Sequence, residues 1–194
     1  MTAAMFFAFL WLLIMCSSMP AFAASKKSKA VKAYRAYLET QGEGAHFDLI
    51  YLNSDSVPEL VVDQDIYTYK SGKMVKMDPS ISMYWPGSYY KKKGLIVYGY
   101  AHGGYYPSQF QRYMKMSGKK LVFKLEIGKF GETSFTTGKV KWTTSYSVQT
   151  SGSNGKKVKK AAFNKALKKL VGSKKPAKIR SLENTQENRS KYLK

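Results

Sequence analysis

The sequence predicts an α+β fold with an N-terminal helix, an antiparallel β meander of about six to eight strands, and a C-terminal basic amphipathic helix. Three observations lead to this prediction. Apolar residues recur at helical spacing in 29–40, apolar and polar residues alternate between 46 and 148, and lysines surround an apolar face in 159–171. The chain of 194 residues contains no linker long enough to separate a second domain, so a single domain is expected over 33–194.

The first helix is expected in KAVKAYRAYLET, residues 29–40. Its apolar residues lie at 30, 31, 34, 37 and 38, which places them on one side of a helix. Gly42 and Gly44 follow, and glycine commonly ends a helix. The residues before it, 24–32, are interpreted as a short basic leader.

Segments rich in aromatic and β-branched residues follow the helix and are typical of strands. In chain order they are 46–52, 59–62, 66–77, 89–100, 112–125 and 139–148. Both 66–77 and 112–125 contain a central Ser-Gly-Lys, where glycine allows the positive φ of a tight hairpin. These segments therefore predict successive antiparallel pairs.

The last part of the chain predicts two helices. In KKAAFNKALKKLV, residues 159–171, the apolar residues fall on one face and lysines cover the rest, and Gly172 ends the segment. This helix either packs against the sheet or lies on a membrane surface. A short final helix is expected within 184–193.

Residues 1–23 are typical of a secretory signal peptide. An apolar run at 5–15 is followed by Pro20 and by Ala21-Phe22-Ala23, a sequence suited to signal peptidase. The run is shorter than the roughly 20 residues that cross a bilayer. We therefore expect the protein to contact the membrane only through the signal peptide, which is then cleaved. The predicted location is secreted or cell-wall associated. The alternative is lipidation at Cys16, although Met15 stands where a lipobox has a small residue.

Charge is distributed unevenly along the chain, whose formal net charge is +21. Residues 24–78 contain eight basic and eight acidic side chains, 79–138 contain nine and two, and 139–194 contain sixteen and two. Such a gradient sets up a positive field over one end of a folded molecule. We therefore expect salt-sensitive attachment to a polyanion.

The stretch YLNSDSVPELVV at 51–62 has the outline of a calcium loop. Asn53, Asp55 and Glu59 fall at the third, fifth and ninth positions of such a loop. Tyr51 and Val62 occupy the first and last positions, where calcium loops place acids. The other interpretation is an Asx-type turn in which Asn53 and Asp55 bond backbone N–H groups. No cofactor is expected, and calcium is the alternative.

Several motifs resemble those of uncharacterised secreted proteins of Gram-positive bacteria. The run FDLIYLNSDSVPELVV at 47–62 is similar to their aliphatic-D-x-D-x-D-G-x-P-E-L motif. Tyr34–Leu38 matches a YxxYL helix, and Tyr67–Lys73 matches a YxYxxGK hairpin. Asn154–Leu170 and Asn184–Leu193 match a Lys-rich helix and an NTxxNRxKYL tail. The resemblance implies export and a shared fold, and it implies no activity.

The sequence does not favour an enzyme. Beyond the signal segment there is no cysteine, and no Walker loop, HExxH motif or Cys/His metal spacing is present. His102 lies in GYAHGGYYP, which is expected to form a loop without an acid or nucleophile nearby in sequence. The alternative is an extracellular glycan or peptidoglycan hydrolase, or its accessory domain, acting near 84–106.

Two groups of residues are candidates for ligand binding. The first combines aromatic rings with cations and consists of Trp85, Tyr89, Tyr90, Lys91, Lys92, Lys93, Tyr105 and Tyr106. The second is a set of C-terminal lysines, Lys156, Lys157, Lys159, Lys160, Lys168, Lys169, Lys174 and Lys175. Rings beside cations suit sugars with acidic groups and also nucleic-acid bases. The other interpretation places the rings in the core of a β domain that lacks cysteine.

The expected function is that of a secreted, non-enzymatic protein that associates electrostatically with a polyanion. The partner is expected to be an anionic cell-wall polymer such as teichoic acid, or an acidic glycan. The other alternative is extracellular nucleic-acid binding. Such binding would be non-specific, because nothing in the sequence matches a base-reading motif.

Overall fold

The computed structural model describes residues 26–77, 84–149 and 155–194, which form four layers. A helix covers a five-stranded sheet, a seven-stranded sheet packs on the other side of that sheet, and a second helix covers the outer face. The predicted signal peptide, residues 1–23, lies outside the described residues. The α+β class is confirmed.

The first two layers are α1, residues 26–39, and the small sheet. The strand order of the small sheet is β12-β1-β2-β3-β4, and all its pairs are antiparallel. Its strands are β1 (His46–Ile50), β2 (Glu59–Val62), β3 (Asp65–Lys70), β4 (Lys73–Met77) and β12 (Leu182–Glu183).

The other two layers are the large sheet and α2, Lys160–Val171. The strand order is β10-β9-β8-β7-β6-β5-β11, again antiparallel throughout. Its strands are β5 (Trp85–Tyr90), β6 (Leu95–His102), β7 (Ser108–Ser117), β8 (Lys120–Thr133), β9 (Val140–Gln149), β10 (Gly155–Val158) and β11 (Ala177–Lys178). A short helix α3, Gln186–Tyr192, follows β12.

The helix α1 packs on the small sheet through the predicted apolar side. Tyr34 and Leu38 are fully buried against Phe47 and Leu60 of the sheet. The described chain is helical from residue 26, so residues 26–32 of the segment interpreted as a basic leader belong to α1. Ala30 and Val31 are buried and hold the first turns of α1 against the small sheet.

The central core lies between the two sheets. Ile50 and Ile66 of the small sheet pack against Ile96, Tyr98 and Met114 of the large sheet. Strands buried on both faces need continuous apolar runs rather than alternation. This explains the runs ELVV in β2 and LIVY at the start of β6, in which every residue is buried.

The helix α2 packs on the outer face of the large sheet. Phe163 is fully buried, and its ring contacts Tyr113 and Tyr146 with centroids 5.8 and 5.4 Å apart. Packing against the sheet, one of the two interpretations of this segment, is therefore what the structure shows. Ala162, assigned to the apolar face, is exposed instead.

The strand number exceeds the six to eight expected. The described residues form twelve strands, because β10, β11 and β12 are short and lie in segments without clear alternation. His102 belongs to the end of β6, where it pairs with Ser108, so the expectation of a loop at this residue is wrong. No helix among the described residues has the length and apolar character needed to cross a bilayer.

Candidate functional site

The C-terminal lysines form an exposed surface on and around α2, here called the lysine face. Its members are the predicted Lys156, Lys157, Lys159, Lys160, Lys168, Lys169, Lys174 and Lys175, together with Lys165. All of them are exposed, and none forms an ion pair within the described part of the chain. The only Lys or Arg residues in such pairs there are Lys76, Arg112 and Arg180.

No acid dilutes the lysine face locally. Residues 155–175 contain nine lysines and no Asp or Glu. Most acids of residues 26–77 belong to α1 and the small sheet, on the opposite side of the large sheet. The loop that carries Asp55 is the exception, because its Asn53 and Ser54 line a cavity together with Leu170 of α2. At the start of α2, near Lys159 and Lys160, the helix macrodipole adds to the positive potential, and no acid in the first turn offsets it.

The predicted Lys91, Lys92 and Lys93 lie in the β5–β6 turn, beside the far end of α2. The Lys92 N–H donates to the Tyr51 carbonyl at 2.9 Å, so this turn is fixed to the loop after β1. Lys115 Nζ donates to the carbonyl of Lys93. Burial, followed by the charges of Lys93 and Lys124, lowers the pKa of Lys115. Crowded cations of this kind favour an anion nearby.

The predicted aromatic candidates separate into two groups. Trp85 is 55% exposed and Tyr106 is 70% exposed, and Tyr105 is also open to solvent. Tyr89 and Tyr90 are buried in the central core and beneath α2 respectively, which corrects the expectation that these two rings are open to a ligand. Successive strand residues point to opposite faces, so adjacent Tyr residues enter different cores.

Trp85 borders a trough on the outer face of the large sheet, beside α2. The cavity has a volume of about 770 Å³ and reaches from Trp85 to Tyr146. Gly99, Gln109, Gln111 and Lys129 contribute to its lining from the three strands in between. Of these residues, Trp85 alone was predicted from the sequence to bind a ligand. The polar residues Gln109 and Gln111, at alternate positions of β7, are the signal in the sequence that one face of this strand is open.

Tyr105 and Tyr106 lie elsewhere, in an aromatic tip formed by the β6–β7 and β8–β9 connections. The Tyr105 ring stacks on Phe135 with centroids 4.2 Å apart, and Phe135 is 88% exposed. A cavity of about 410 Å³ at this tip is also lined by Lys139 and Lys141. The structure therefore does not bring Tyr105 and Tyr106 together with Trp85 in the trough.

In the acidic loop at 51–62, the side chains of Asn53, Asp55 and Glu59 form hydrogen bonds within the loop. Asn53 Oδ1 accepts the Asp55 N–H at 2.9 Å, and Asp55 Oδ1 accepts the Val57 N–H at 3.0 Å. These are the bonds expected of the Asx-type turn. Glu59 is buried, and its carboxylate accepts the Leu52 N–H at 2.9 Å and Asn53 Nδ2 at 3.1 Å. Burial raises the pKa of Glu59 to about 7.

The described residues contain no group of three or more His, Cys, Asp or Glu side chains placed to hold a metal ion. His102 is exposed, and its strand partner is Ser108 at the end of β7. The arrangement that the structure does present is an exposed cationic face beside a trough with one aromatic wall on each side.

Comparison with family models, with curated proteins and with solved structures gives no match for this chain. The resemblance to secreted Gram-positive proteins therefore stays a prediction from the motifs, and the function has to be argued from the geometry.

Proposed function

We propose that this protein is a secreted, non-enzymatic binding protein that attaches to a polyanion through the lysine face. The partner is an anionic cell-wall polymer such as teichoic acid, or an acidic glycan. The observation that supports this most strongly is the run 155–175, with nine lysines and no acid, held on the outer layer of the fold.

The layered fold places the basic and acidic parts of the chain in different layers. The large sheet separates the lysine face from the acids of the small sheet, so these opposite charges do not pair directly. The hydrated ammonium groups of lysine act as point charges and do not form the directional contacts that arginine forms. The proposed attachment is accordingly broad in specificity and sensitive to salt.

The first test is retention on purified cell walls that carry teichoic acid, as a function of ionic strength. The screening length falls from about 10 Å at 0.1 M to about 3 Å at 1 M salt. We expect the protein to be released between about 50 and about 500 mM NaCl, over which the attraction between exposed charges is progressively screened. Undiminished retention across that range would contradict the proposal.

The second test separates the lysine face from net charge alone. One variant replaces Lys160, Lys165, Lys168 and Lys169 of α2 by Gln. Its matched control replaces Lys26, Lys27, Lys29 and Lys32 of α1 by Gln. Both remove four charges from a helix, and Lys and Gln have similar helix propensities. We expect the α2 variant to lose far more affinity for polyphosphate than the α1 variant. Equal losses would mean that net charge, rather than the lysine face, governs binding.

A further inference from the structure

We propose that the trough between Trp85 and Tyr146 binds a segment of an acidic polysaccharide, with one sugar ring stacked on Trp85. This inference rests on the proposed function and names the chemistry that would make the attachment selective. It assigns a shaped subsite beside the lysine face, whereas the lysine face by itself provides only attraction.

The size of the trough fits an extended chain. It crosses from β5 to β9, which are separated by four strand spacings of about 4.8 Å, so its length is about 19 Å. Its volume of about 770 Å³ lies within the range of about 300–1,000 Å³ found for ligand sites. The trough is open along one side, as a polymer that enters and leaves requires.

Gly99 lines the trough and has no side chain to fill it. Gly99 pairs directly with Trp85 across β5 and β6, so the indole stands next to a position without a side chain. A methyl group added to Gly99 would meet no heavy atom within 4 Å. The space beside the Trp85 ring is therefore empty, and a flat ring can approach both the indole and the backbone.

The two aromatic walls differ in their surroundings. Trp85 is 55% exposed and presents its ring to solvent. Tyr146 is held by its contact with Phe163 of α2, at 5.4 Å between ring centroids. A fixed wall and an open platform suit the apolar face of a sugar ring, because aromatic faces pack well against such C–H-rich surfaces.

The polar lining favours a hydroxyl-rich, negatively charged ligand. Gln109 and Gln111 form no side-chain hydrogen bond to any described residue, so their amides are available to hydroxyl groups. Thr144 adds a hydroxyl, and Lys129 provides the one charge among the described lining residues. Several amide and hydroxyl groups match the hydroxyls of a sugar chain, and Trp85 is the one exposed ring among the described lining residues, whereas single-stranded nucleic acids stack successive bases on a series of aromatic rings.

The test is titration of the full chain with a defined oligogalacturonide, followed by isothermal calorimetry. Trp85→Ala removes the platform, and Gly99→Leu places a side chain at a position where an added Cβ meets no heavy atom within 4 Å. We expect each to weaken oligogalacturonide binding by about tenfold or more, because Trp85→Ala removes an aromatic contact with its buried area and Gly99→Leu occupies the space that the sugar ring would take. The matched control is Trp142→Ala, because Trp142 is 43% exposed on β9 but outside the trough.

Polyphosphate distinguishes this inference from the proposed function. The Trp85 and Gly99 variants are expected to bind polyphosphate like the unchanged protein, whereas the α2 Gln variant loses that binding. If both trough variants bind the oligogalacturonide normally, the trough is not a glycan site, and the lysine face is unaffected by that result. If the α2 variant keeps all polyphosphate binding, the proposed function fails independently of the trough.

Oligo-dT is the competing ligand. Binding of oligo-dT that Gly99→Leu abolishes, at an affinity above that for the oligogalacturonide, would overturn the proposal in favour of a single-stranded nucleic-acid site. Thermal unfolding of each variant verifies that a loss of binding does not come from unfolding.

Discussion

Arg180 clamps Asp48 across the junction of the two sheets. The Arg180 Nε and Nη2 atoms donate to Asp48 Oδ1 at 3.0 and 2.6 Å, and the Arg180 backbone N–H donates to Oδ2 at 2.8 Å. Asp48 is buried on β1, and Arg180 follows Ile179, whose N–H donates to the Gly87 carbonyl of the large sheet at 3.1 Å. The segment between β11 and β12 therefore joins the two sheets.

The first prediction concerns this junction. The Asp48 side chain is 3% exposed and that of Arg180 is 49% exposed, so the pair is only partly shielded from water. Asp48→Asn removes the charge but keeps the volume, and we expect it to lower the free energy of unfolding by about 2 kcal/mol. Urea unfolding measures this change.

The matched control for the junction is Asp65→Asn. Asp65 pairs with Lys76 at 2.7 Å, but both side chains are more than a third exposed. Exposed pairs contribute at most about 1 kcal/mol. A loss for Asp48→Asn no larger than that for Asp65→Asn would show that the clamp does not hold the sheets together.

The second prediction concerns the buried amide of Asn184. Its Nδ2 donates to the carbonyls of Leu38, Gln41 and Gly42 at 2.7, 3.1 and 3.3 Å, which are carbonyls at and just after the end of α1. Asn184→Ala removes the Nδ2 donor from all three carbonyls, of which that of Gln41 loses its only hydrogen-bond donor among the described residues, while those of Leu38 and Gly42 keep the Gln41 and Ala45 N–H groups. We expect a loss of about 2–3 kcal/mol of unfolding free energy, measured by denaturant titration.

Asn188→Ala is the control for this amide. Asn188 Nδ2 donates to the Glu183 carbonyl at 2.9 Å in an exposed position, where water can replace it. Its loss is expected to stay below about 1 kcal/mol. Equal effects of the two substitutions would refute a special role for Asn184 in ending α1.

The third prediction is a pH dependence caused by Glu59. Burial raises its folded-state pKa to about 7, above the value of 4.5 for a free side chain. Because the folded state holds this proton more tightly, the contribution to stability is complete below pH 4.5 and is lost as the pH rises to about 7. The loss amounts to at most about 3 kcal/mol.

Glu59→Gln removes this titration. We expect the difference in unfolding free energy between the unchanged protein and the variant to shift in favour of the variant between pH 4.5 and pH 7. A difference that is constant across this range would refute the assignment. Adding calcium at about 1 mM, a concentration at which extracellular sites fill, tests the alternative occupant, because a bound cation would lower the pKa of Glu59 and restore stability near pH 7.

The fourth prediction concerns the attachment of α2. Phe163 is buried against Tyr113 and Tyr146, so Phe163→Ala creates a cavity and is expected to cost about 3–5 kcal/mol. The adjacent Ala162 is exposed, and Ala162→Ser serves as a control with a change below about 0.5 kcal/mol. Thermal unfolding compares them. A stable Phe163→Ala variant would mean that α2 does not depend on the sheet.

The sequence predicted local structure well where one periodicity dominates. The apolar side of α1, the hairpin turns at Ser71-Gly72 and Lys93-Gly94, and the Asx turn at Asn53 all follow from contacts between residues close in the chain. The described residues form more strands than the expected six to eight, and residues 26–32 of the segment interpreted as a leader belong to α1. β11 and β12 contain two residues each, too few for any alternation to be visible.

Part of the candidate site was also within reach of the sequence. The run of nine lysines without an acid can be counted directly, and helical spacing places the α2 lysines opposite its apolar residues. Tyr89 and Tyr90 show the limit of this approach, because strand alternation sends the two rings to opposite faces but does not reveal that both faces are covered.

The sequence by itself determined the charge gradient, the helical and strand periodicities and the turns, since these depend on residue type and on short spacing. Only the tertiary structure decided that the sheet is divided in two, that Arg180 meets Asp48, and that Trp85 and Tyr146 line one trough. Those pairs are separated by tens of residues along the chain. Their contacts arise from strand order and from burial on both faces of a sheet, neither of which a local pattern records.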